Sequence, residues 1–287
     1  MISAVIFDLG GVCVQSPVHA IAKYEEEIGL PRTFTGVAIG FAGEHGPFQR
    51  FERGELEYWA FIDVFQAFLR DPARVAQYRA WITRQNPARA AQLDWTAVST
   101  AAGQIDAHVL FTAMVKTSAK VDMEMLRAIE VLKAAGYRIG CITNDFALPA
   151  DEEDDEDEGD DEGDHEDDAK DAVSTPNQKE ESTADGGARG RQVPRGSAED
   201  LAQVRVLMAQ FEVVVASSRV GLRKPDRRIY AALCDRMNVR PDECVFLDDL
   251  AVNVRAARKV GMRAIQVKST RQALDELKTV LEIKSNL

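Results

Sequence analysis

The sequence SAVIFDLGG, residues 3–11, is a short apolar run that ends in an acidic residue and two glycines. An apolar run of this length, stopped by glycines, is typical of a strand buried in a parallel sheet. Asp8 is the anomaly, because an ordinary core strand does not need a carboxylate at its last position. Asp8 either caps a turn or belongs to a site at the edge of the sheet.

Helices and strands alternate in the second half of the chain. Residues 121–136 have apolar side chains at helical spacing and end in Gly136, and RIGCITND follows as a strand with a polar end. After about Glu199 the pattern continues with three strands and their helices, the strands being FEVVVAS at 211–217, ECVFLDD at 243–249 and MRAIQVK at 262–268. This alternation predicts an α/β fold with a parallel sheet.

Two long segments interrupt that pattern. Residues 17–116 are helical in pattern and contain no convincing strand, which predicts a helical subdomain inserted after the first strand. Residues 147–199 are acidic and polar, and we predict that they are disordered because they cannot bury enough apolar surface to offset their ordering entropy. This insertion is either a solvated loop or a docking segment for a basic protein partner such as a histone.

Charge and cysteine content exclude several classes of protein. The net charge is −12, but residues 151–198 hold 19 Asp and Glu against 5 Lys and Arg, a net of −14, so the rest has about +2. The nearly neutral remainder argues against nucleic acid, and no apolar run approaches the roughly 18 residues of a membrane span. The short N-terminal run lacks the basic start of a signal peptide. Four cysteines without metal-site spacing predict reduced thiols in a soluble protein of the cytoplasm or nucleus (Cys13, Cys141, Cys234, Cys244).

Polar residues stand at four predicted strand ends or in the loops after them. They are Asp8, the pair Thr143 and Asn144, Lys224, and the pair Asp248 and Asp249. In open parallel sheets, ligands bind outside the carboxyl ends of the strands, so one shared site is expected.

Each of these residue types suits phosphoryl transfer. A carboxylate such as Asp8 can attack phosphorus, and converging carboxylates suit Mg²⁺. Lys224 can neutralise developing charge, and Thr143 can hold phosphate oxygens. Plainer interpretations are a helix N-cap for Asp248 or Asp249, a solvated loop lysine for Lys224, and a strand cap for Thr143.

The order of these motifs resembles the haloacid dehalogenase superfamily. FDLGGV is similar to its first motif, ITND to its second, VGLRKPDRRIY to its third and VFLDDLAVNVRAAR to its fourth. Together with ERGELEYWAF in the helical region, they most resemble the phosphatase-like N-terminal domain of soluble epoxide hydrolase and acyl-CoA dehydrogenase family member 10. The resemblance covers almost the whole chain except residues 147–199.

The resemblance implies a fold and a set of roles. It implies a doubly wound Rossmann-like core of residues 1–16 and 117–287, and a helical cap of residues 17–116 that closes over the site. The implied activity is a Mg²⁺-dependent phosphomonoesterase acting on a small phosphorylated metabolite, with lipid or sugar phosphates as reasonable substrates. In this resemblance Asp8 is the nucleophile. The metal ligands are Asp8, the Gly10 carbonyl, Asp248 and Asp249, with Asp248 favoured over Asp249 as the direct ligand. The phosphate ligands are Thr143, Asn144 and Lys224.

Gly10 departs from the family pattern. Most phosphatases of the superfamily have a second aspartate at this position, which protonates the leaving group and then activates water. General acid–base help of this kind contributes roughly 10²–10⁴-fold. Its loss leaves three alternatives: a slow phosphatase, a different reaction, or a catalytically inactive phosphate-binding or interaction module. Asp145 and Glu44 are conceivable substitutes, although nothing in the sequence places either in the site.

A dehalogenase is a further alternative from the same superfamily. It ranks low, because a doubled metal carboxylate has no obvious use in carbon–halogen displacement.

Overall fold

The computed structural model describes residues 2–146, 148 and 192–283. Most of the predicted acidic insertion, residues 147–199, therefore lies outside the described residues. Its described end leads into a helix that begins at Ala198. The described residues up to 146 and from 194 onward form one compact unit.

Five parallel strands form one sheet in the order β3-β2-β1-β4-β5. The strands are β1 Ala4–Phe7, β2 Arg138–Thr143, β3 Val213–Ala216, β4 Cys244–Asp248 and β5 Arg263–Gln266. The chain builds the sheet outward from β1 in one direction and then continues on the other side with β4. The carboxyl ends of β1 and β4 therefore flank the point where the strand order reverses, which is where such sheets bind ligands.

Fourteen α-helices lie in the described part of the chain. The first eight are α1 Pro17–Glu27, α2 Phe34–Ala42, α3 Pro47–Glu52, α4 Tyr58–Arg70, α5 Pro72–Gln85, α6 Pro87–Gln92, α7 Trp95–Gly103 and α8 Ala107–Ser118. The others are α9 Met123–Ala134, α10 Ala198–Met208, α11 Ser217–Val220, α12 Arg227–Met237, α13 Ala251–Lys259 and α14 Thr270–Leu281. The described part contains no helix long and apolar enough to cross a membrane.

Apolar side chains cover both faces of the sheet, which explains why β1 is a continuous apolar run. Val5 and Phe7 pack on one side with residues of α9, α10 and α14. Ala4 and Ile6 pack on the other side with residues of α12 and α13. Helices thus lie on both faces of a parallel sheet, and the predicted doubly wound α/β fold is confirmed.

The helical region between β1 and β2 is joined to the sheet by two paired linkers. Gln15 donates its backbone N–H to the Lys120 carbonyl at 2.9 Å, and Asp122 donates to the Cys13 carbonyl at 2.8 Å. All eight helices from Pro17 to Ser118 lie between these linkers, where the sequence predicts a cap.

An aromatic cluster fills part of this helical region. The rings of Phe51 and Phe61 stack with centroids 4.0 Å apart. Phe146, three residues after β2, stacks on Phe51 at 5.3 Å. The segment that leaves β2 is therefore packed against the helical region as well as against the sheet.

Candidate active site

Asp8 follows β1 directly and is held at the carboxyl end of the sheet. Its backbone N–H continues the strand pairing by donating to the Leu247 carbonyl at 2.9 Å. Its side-chain Oδ1 accepts a hydrogen bond from the Leu9 backbone N–H at 2.7 Å. Asp8 is 7% exposed. These contacts fix the orientation of a carboxylate that is almost fully buried.

Lys224 bridges the ends of β1 and β4. Its Nζ lies 2.7 Å from Asp8 Oδ1 and 2.8 Å from Asp248 Oδ2, and it donates to the Ile142 carbonyl at 2.9 Å. The side chain is 1% exposed, so a solvated loop lysine is excluded.

Burial and charge act in opposite directions on these groups. Burial disfavours the Lys224 ammonium, but Asp8 and Asp248 outweigh it and raise the pKa of Lys224. Burial raises the pKa of Asp8, Lys224 opposes that shift, and Asp248 adds to it.

The backbone of Lys224 is fixed by Asn144, which follows β2. Asn144 Oδ1 accepts from the Lys224 backbone N–H at 2.7 Å, and Asn144 Nδ2 donates to the Lys224 carbonyl at 3.1 Å. The predicted phosphate ligand Asn144 thus has both ends of its amide on the lysine backbone. Thr143, the last residue of β2, is buried beside it.

Asp248 is fully buried and its oxygens are occupied by protein donors. Oδ1 accepts from the Leu250 backbone N–H at 2.8 Å, and Asn253 Nδ2 donates to both oxygens at 3.1 and 3.0 Å. With Lys224 on Oδ2, the carboxylate is surrounded by donors. Sequence reasoning missed Asn253, although an asparagine in the first turn of a helix that follows a pair of aspartates is a signal for such a contact.

Asp249 is less buried than Asp248 and points toward the loop after β1. A Cβ at Gly11, whose φ is +75°, would lie 2.5 Å from Asp249 Oδ2, so glycine makes this close approach feasible. Burial and the Asp248 charge raise the pKa of Asp249 to about 6. A cleft of about 530 Å³ opens beside this residue, between the loop after β1, the start of α1 and residues 266–270.

The donor set fits a hard divalent cation. Carboxylate oxygens of Asp8, Asp248 and Asp249 all lie within 4.8 Å of one another. Three carboxylates face one ammonium, which leaves surplus negative charge that a cation such as Mg²⁺ would neutralise. Both oxygens of Asp248 accept hydrogen bonds from protein donors, which leaves less capacity for a direct metal bond. Its expected place as the favoured ligand stays a prediction.

The conceivable substitute acids lie outside this cluster. Asp145 Oδ1 accepts a hydrogen bond from Ser218 Oγ at 2.7 Å. Glu44 is exposed and pairs with Arg53 and Arg223, each at 3.4 Å. At Gly10 itself, an added Cβ would meet only Pro17 Cδ at 3.6 Å, an ordinary contact. The position therefore has room for a side chain that this chain lacks.

Comparisons with known proteins agree with this geometry. A sequence profile of haloacid dehalogenase-like hydrolases matches residues 193–261. Bifunctional epoxide hydrolase 2 of Sus scrofa is 24% identical over 282 residues, which cover 98% of this chain and 39% of the relative. The chain therefore spans about two fifths of that relative's length.

Two further similarities concern a phosphatase and a solved structure. A phosphatase of Mycobacterium tuberculosis is 39% identical over 79 residues, 28% of this chain and 36% of that protein. A structure described as a predicted HAD-like family hydrolase from Porphyromonas gingivalis aligns with 99% of this chain and 100% of its own. Its TM-score is 0.51 and its identity 15%, so it supports the fold alone.

Fold and site together define a doubly wound α/β protein with a carboxylate cluster and a buried lysine at the switch point of its sheet. The chain is similar to haloacid dehalogenase-like hydrolases, whose profile matches residues 193–261 and whose motif order it resembles.

Proposed function

We propose that this chain is a Mg²⁺-dependent phosphomonoesterase that acts through an aspartyl-phosphate on Asp8. One observation carries the proposal: the strand-end carboxylate of Asp8 shares a buried ammonium, that of Lys224, with a second strand-end carboxylate, Asp248. Structural ion pairs in a core do not need a third carboxylate beside them, and Asp249 is that third group.

The reaction has two steps. A carboxylate oxygen of Asp8 attacks the phosphorus of the substrate, and the bond from phosphorus to the leaving oxygen breaks. The leaving oxygen takes its proton from water, because Gly10 has no side chain to give one. Water then attacks the phosphorus of the aspartyl-phosphate, which releases inorganic phosphate and restores the carboxylate. Lys224 offsets negative charge on the transferred group, and the Thr143 hydroxyl binds a phosphoryl oxygen.

The metal site is assigned to residues at the ends of β1 and β4. Asp8, the Gly10 carbonyl and Asp249 would hold Mg²⁺, with Asp248 orienting Lys224 beside them. When bound, the cation would neutralise the surplus charge of the carboxylates and polarise a phosphoryl oxygen. Asn144 would act by fixing the Lys224 backbone, a positioning role in place of the phosphate contact expected from sequence.

Small phosphorylated metabolites are the proposed substrates, with lipid and sugar phosphates as the first classes to test. The helical region from Pro17 to Ser118 is the proposed cap, and the proposed location is the cytoplasm or nucleus. The acidic insertion is proposed to bind a basic protein partner. Most of its residues lie outside the described part of the chain, so this stays a prediction from sequence.

Replacement of Asp8 by asparagine tests the mechanism, since asparagine keeps the shape and removes the nucleophile. We expect Asp8→Asn to lower turnover of p-nitrophenyl phosphate with Mg²⁺ by at least about 10³-fold. Asp94→Asn is the matched control, because Asp94 caps α7 in the helical region and asparagine caps equally well. Full activity of purified Asp8→Asn would refute the aspartyl-phosphate.

A second candidate function is favoured by Gly10, which offers no proton to a leaving group. On this view the chain binds phosphate or Mg²⁺ without turnover. Gly10→Asp discriminates, because the position accommodates a side chain. For a phosphatase limited by acid–base help, we expect Gly10→Asp to raise kcat by roughly 10²-fold. No turnover in either protein, with Mg²⁺ or phosphate binding retained in calorimetry, would support the binding module.

A further inference from the structure

The helical region and the sheet meet in close backbone contact a few residues before Lys224. Ser217 Oγ, at the start of α11, donates to the Glu52 carbonyl at the end of α3 at 2.5 Å. Two residues further, a Cβ on Gly54 would lie only 2.5 Å from the Ser218 carbonyl oxygen. Contacts of this kind leave little freedom for residues 52–54 to slide against α11.

The Glu52 side chain reaches from this contact to Arg223. Arg223 Nε donates to Glu52 Oε2 at 2.6 Å, and the Glu52 side chain is 8% exposed. Burial raises the pKa of Glu52 and the guanidinium opposes that shift. Because an unpaired buried charge is costly, each partner strongly favours the presence of the other.

Arg223 is bonded through its peptide to Lys224, the lysine that bridges Asp8 and Asp248. Asn144 holds the Lys224 backbone from the end of β2. The short segment Arg223–Lys224 is therefore held from the sheet by Asn144 and from the helical region by Glu52. A shift of Arg223 would be transmitted to Lys224 within one residue.

We propose that Glu52 is a positioning residue supplied by the cap: by holding Arg223, it sets the place of Lys224 between Asp8 and Asp248. The inference rests on the proposed phosphatase function for its kinetic consequences. Its structural content, that Glu52 orders the segment around Arg223 and Lys224, stands apart from that function.

The kinetic test compares Glu52→Gln, Arg223→Gln and the double variant. We expect Glu52→Gln to lower kcat for p-nitrophenyl phosphate roughly tenfold, with KM within about twofold, because misplaced charge impairs the transition state more than binding. The double variant should be no slower than Arg223→Gln, since both changes remove one interaction. Glu212→Gln is the control, because it breaks the exposed pair with Arg138 at the opposite end of the sheet and should leave kcat unchanged.

An activity-independent test uses amide hydrogen exchange with Mg²⁺ present. In Glu52→Gln we expect faster exchange in peptides covering residues 217–226, where Gly221, Lys224 and Asp226 donate backbone hydrogen bonds. Faster exchange confined to α3 and α4, or an unchanged kcat, would overturn the positioning role and leave Glu52 as a stabilising contact. If the wild-type protein has no turnover, the proposed function fails, and the exchange result alone decides this inference.

Discussion

Lys224 is the residue on which the site depends, because its ammonium contacts two buried carboxylates. Its ammonium is 1% exposed and has Asp8 and Asp248 at hydrogen-bond distance. Removing a lysine ammonium from water is unfavourable, so the two carboxylates must compensate for the burial of Lys224. Conversely, the Lys224 ammonium lowers the cost of burying the Asp8 and Asp248 carboxylates at the ends of two strands.

Lys224→Met should therefore affect stability and activity together. Methionine fills a similar volume but leaves three carboxylates without a cation. We expect a loss of about 3–5 kcal/mol in the free energy of unfolding, measured by urea denaturation in EDTA. Turnover should fall at least about 10²-fold. Lys259→Met, at an exposed position in the last turn of α13 and outside the cleft, is the control and should change neither. An unchanged urea midpoint in Lys224→Met would contradict the buried pairing.

The sequence predicted which residues lie together at this edge of the sheet better than it predicted their contacts. Asp8, Lys224, Asp248 and Asp249 do lie together, because each follows a strand or precedes a helix at the same edge. The proposal that Asp249 is the direct ligand rests on the contact between Asp248 and Asn253 on α13, which no local pattern indicates.

At the scale of elements, the end of α3 and the residues just after it contact α11, where the helical region meets the core. Gly54 has a φ of +70° and no room for a Cβ against the Ser218 carbonyl. Both features exclude other residues, one through backbone strain and one through a steric clash. The close approach explains why the segment ERGELEYWAF has a glycine at position 54.

A comparison of Gly54→Ala with Gly29→Ala separates the steric clash with the Ser218 carbonyl from the backbone strain of a positive φ. Gly29 has a φ of +78° and nothing within 4 Å of an added Cβ, so its substitution measures strain alone. Strain of this kind costs roughly 1–3 kcal/mol. We expect Gly54→Ala to lower Tm more than Gly29→Ala, and to lower kcat as well because α3 carries Glu52. Equal effects of the two substitutions in thermal unfolding and turnover would argue against the close contact.

Elements themselves were largely predictable from sequence. The strand and helix patterns after residue 199 correspond to β3, β4 and β5 and their helices. The short helix α11 was not predicted, because four residues have too little periodicity to detect. Ser217 is buried and donates its hydroxyl to the Glu52 carbonyl, 165 positions away in the chain, a contact that no local pattern indicates.

For the whole molecule, the surplus of carboxylates couples stability to pH and to Mg²⁺. The pKa of Asp249 rises from an ordinary 3.8 to about 6, and that of Asp8 is also raised. The folded form therefore keeps protons that the unfolded form releases. The contribution of these groups to stability without metal falls as pH rises through about 6.

Mg²⁺ should reverse that loss where the carboxylates are ionised. We expect Mg²⁺ to raise Tm more at about pH 7.5 than at about pH 5, because protons compete with the cation at the lower pH. Thermal unfolding with Mg²⁺ or EDTA at both pH values measures this. Asp249→Asn should remove most of the Mg²⁺-dependent shift. A shift of equal size at both pH values would show that the cation binds elsewhere.

The sequence by itself determined the α/β class, the helical insertion after the first strand and the residue types of the site. It could do so because strand burial and helical spacing are local patterns, and because carboxyl ends of parallel strands share one edge. Only the tertiary structure decided which donors surround Asp248, that Asn144 bonds the Lys224 backbone, and that Glu52 reaches Arg223. Those contacts join residues up to 171 positions apart in the chain, and no local pattern encodes which of them meet.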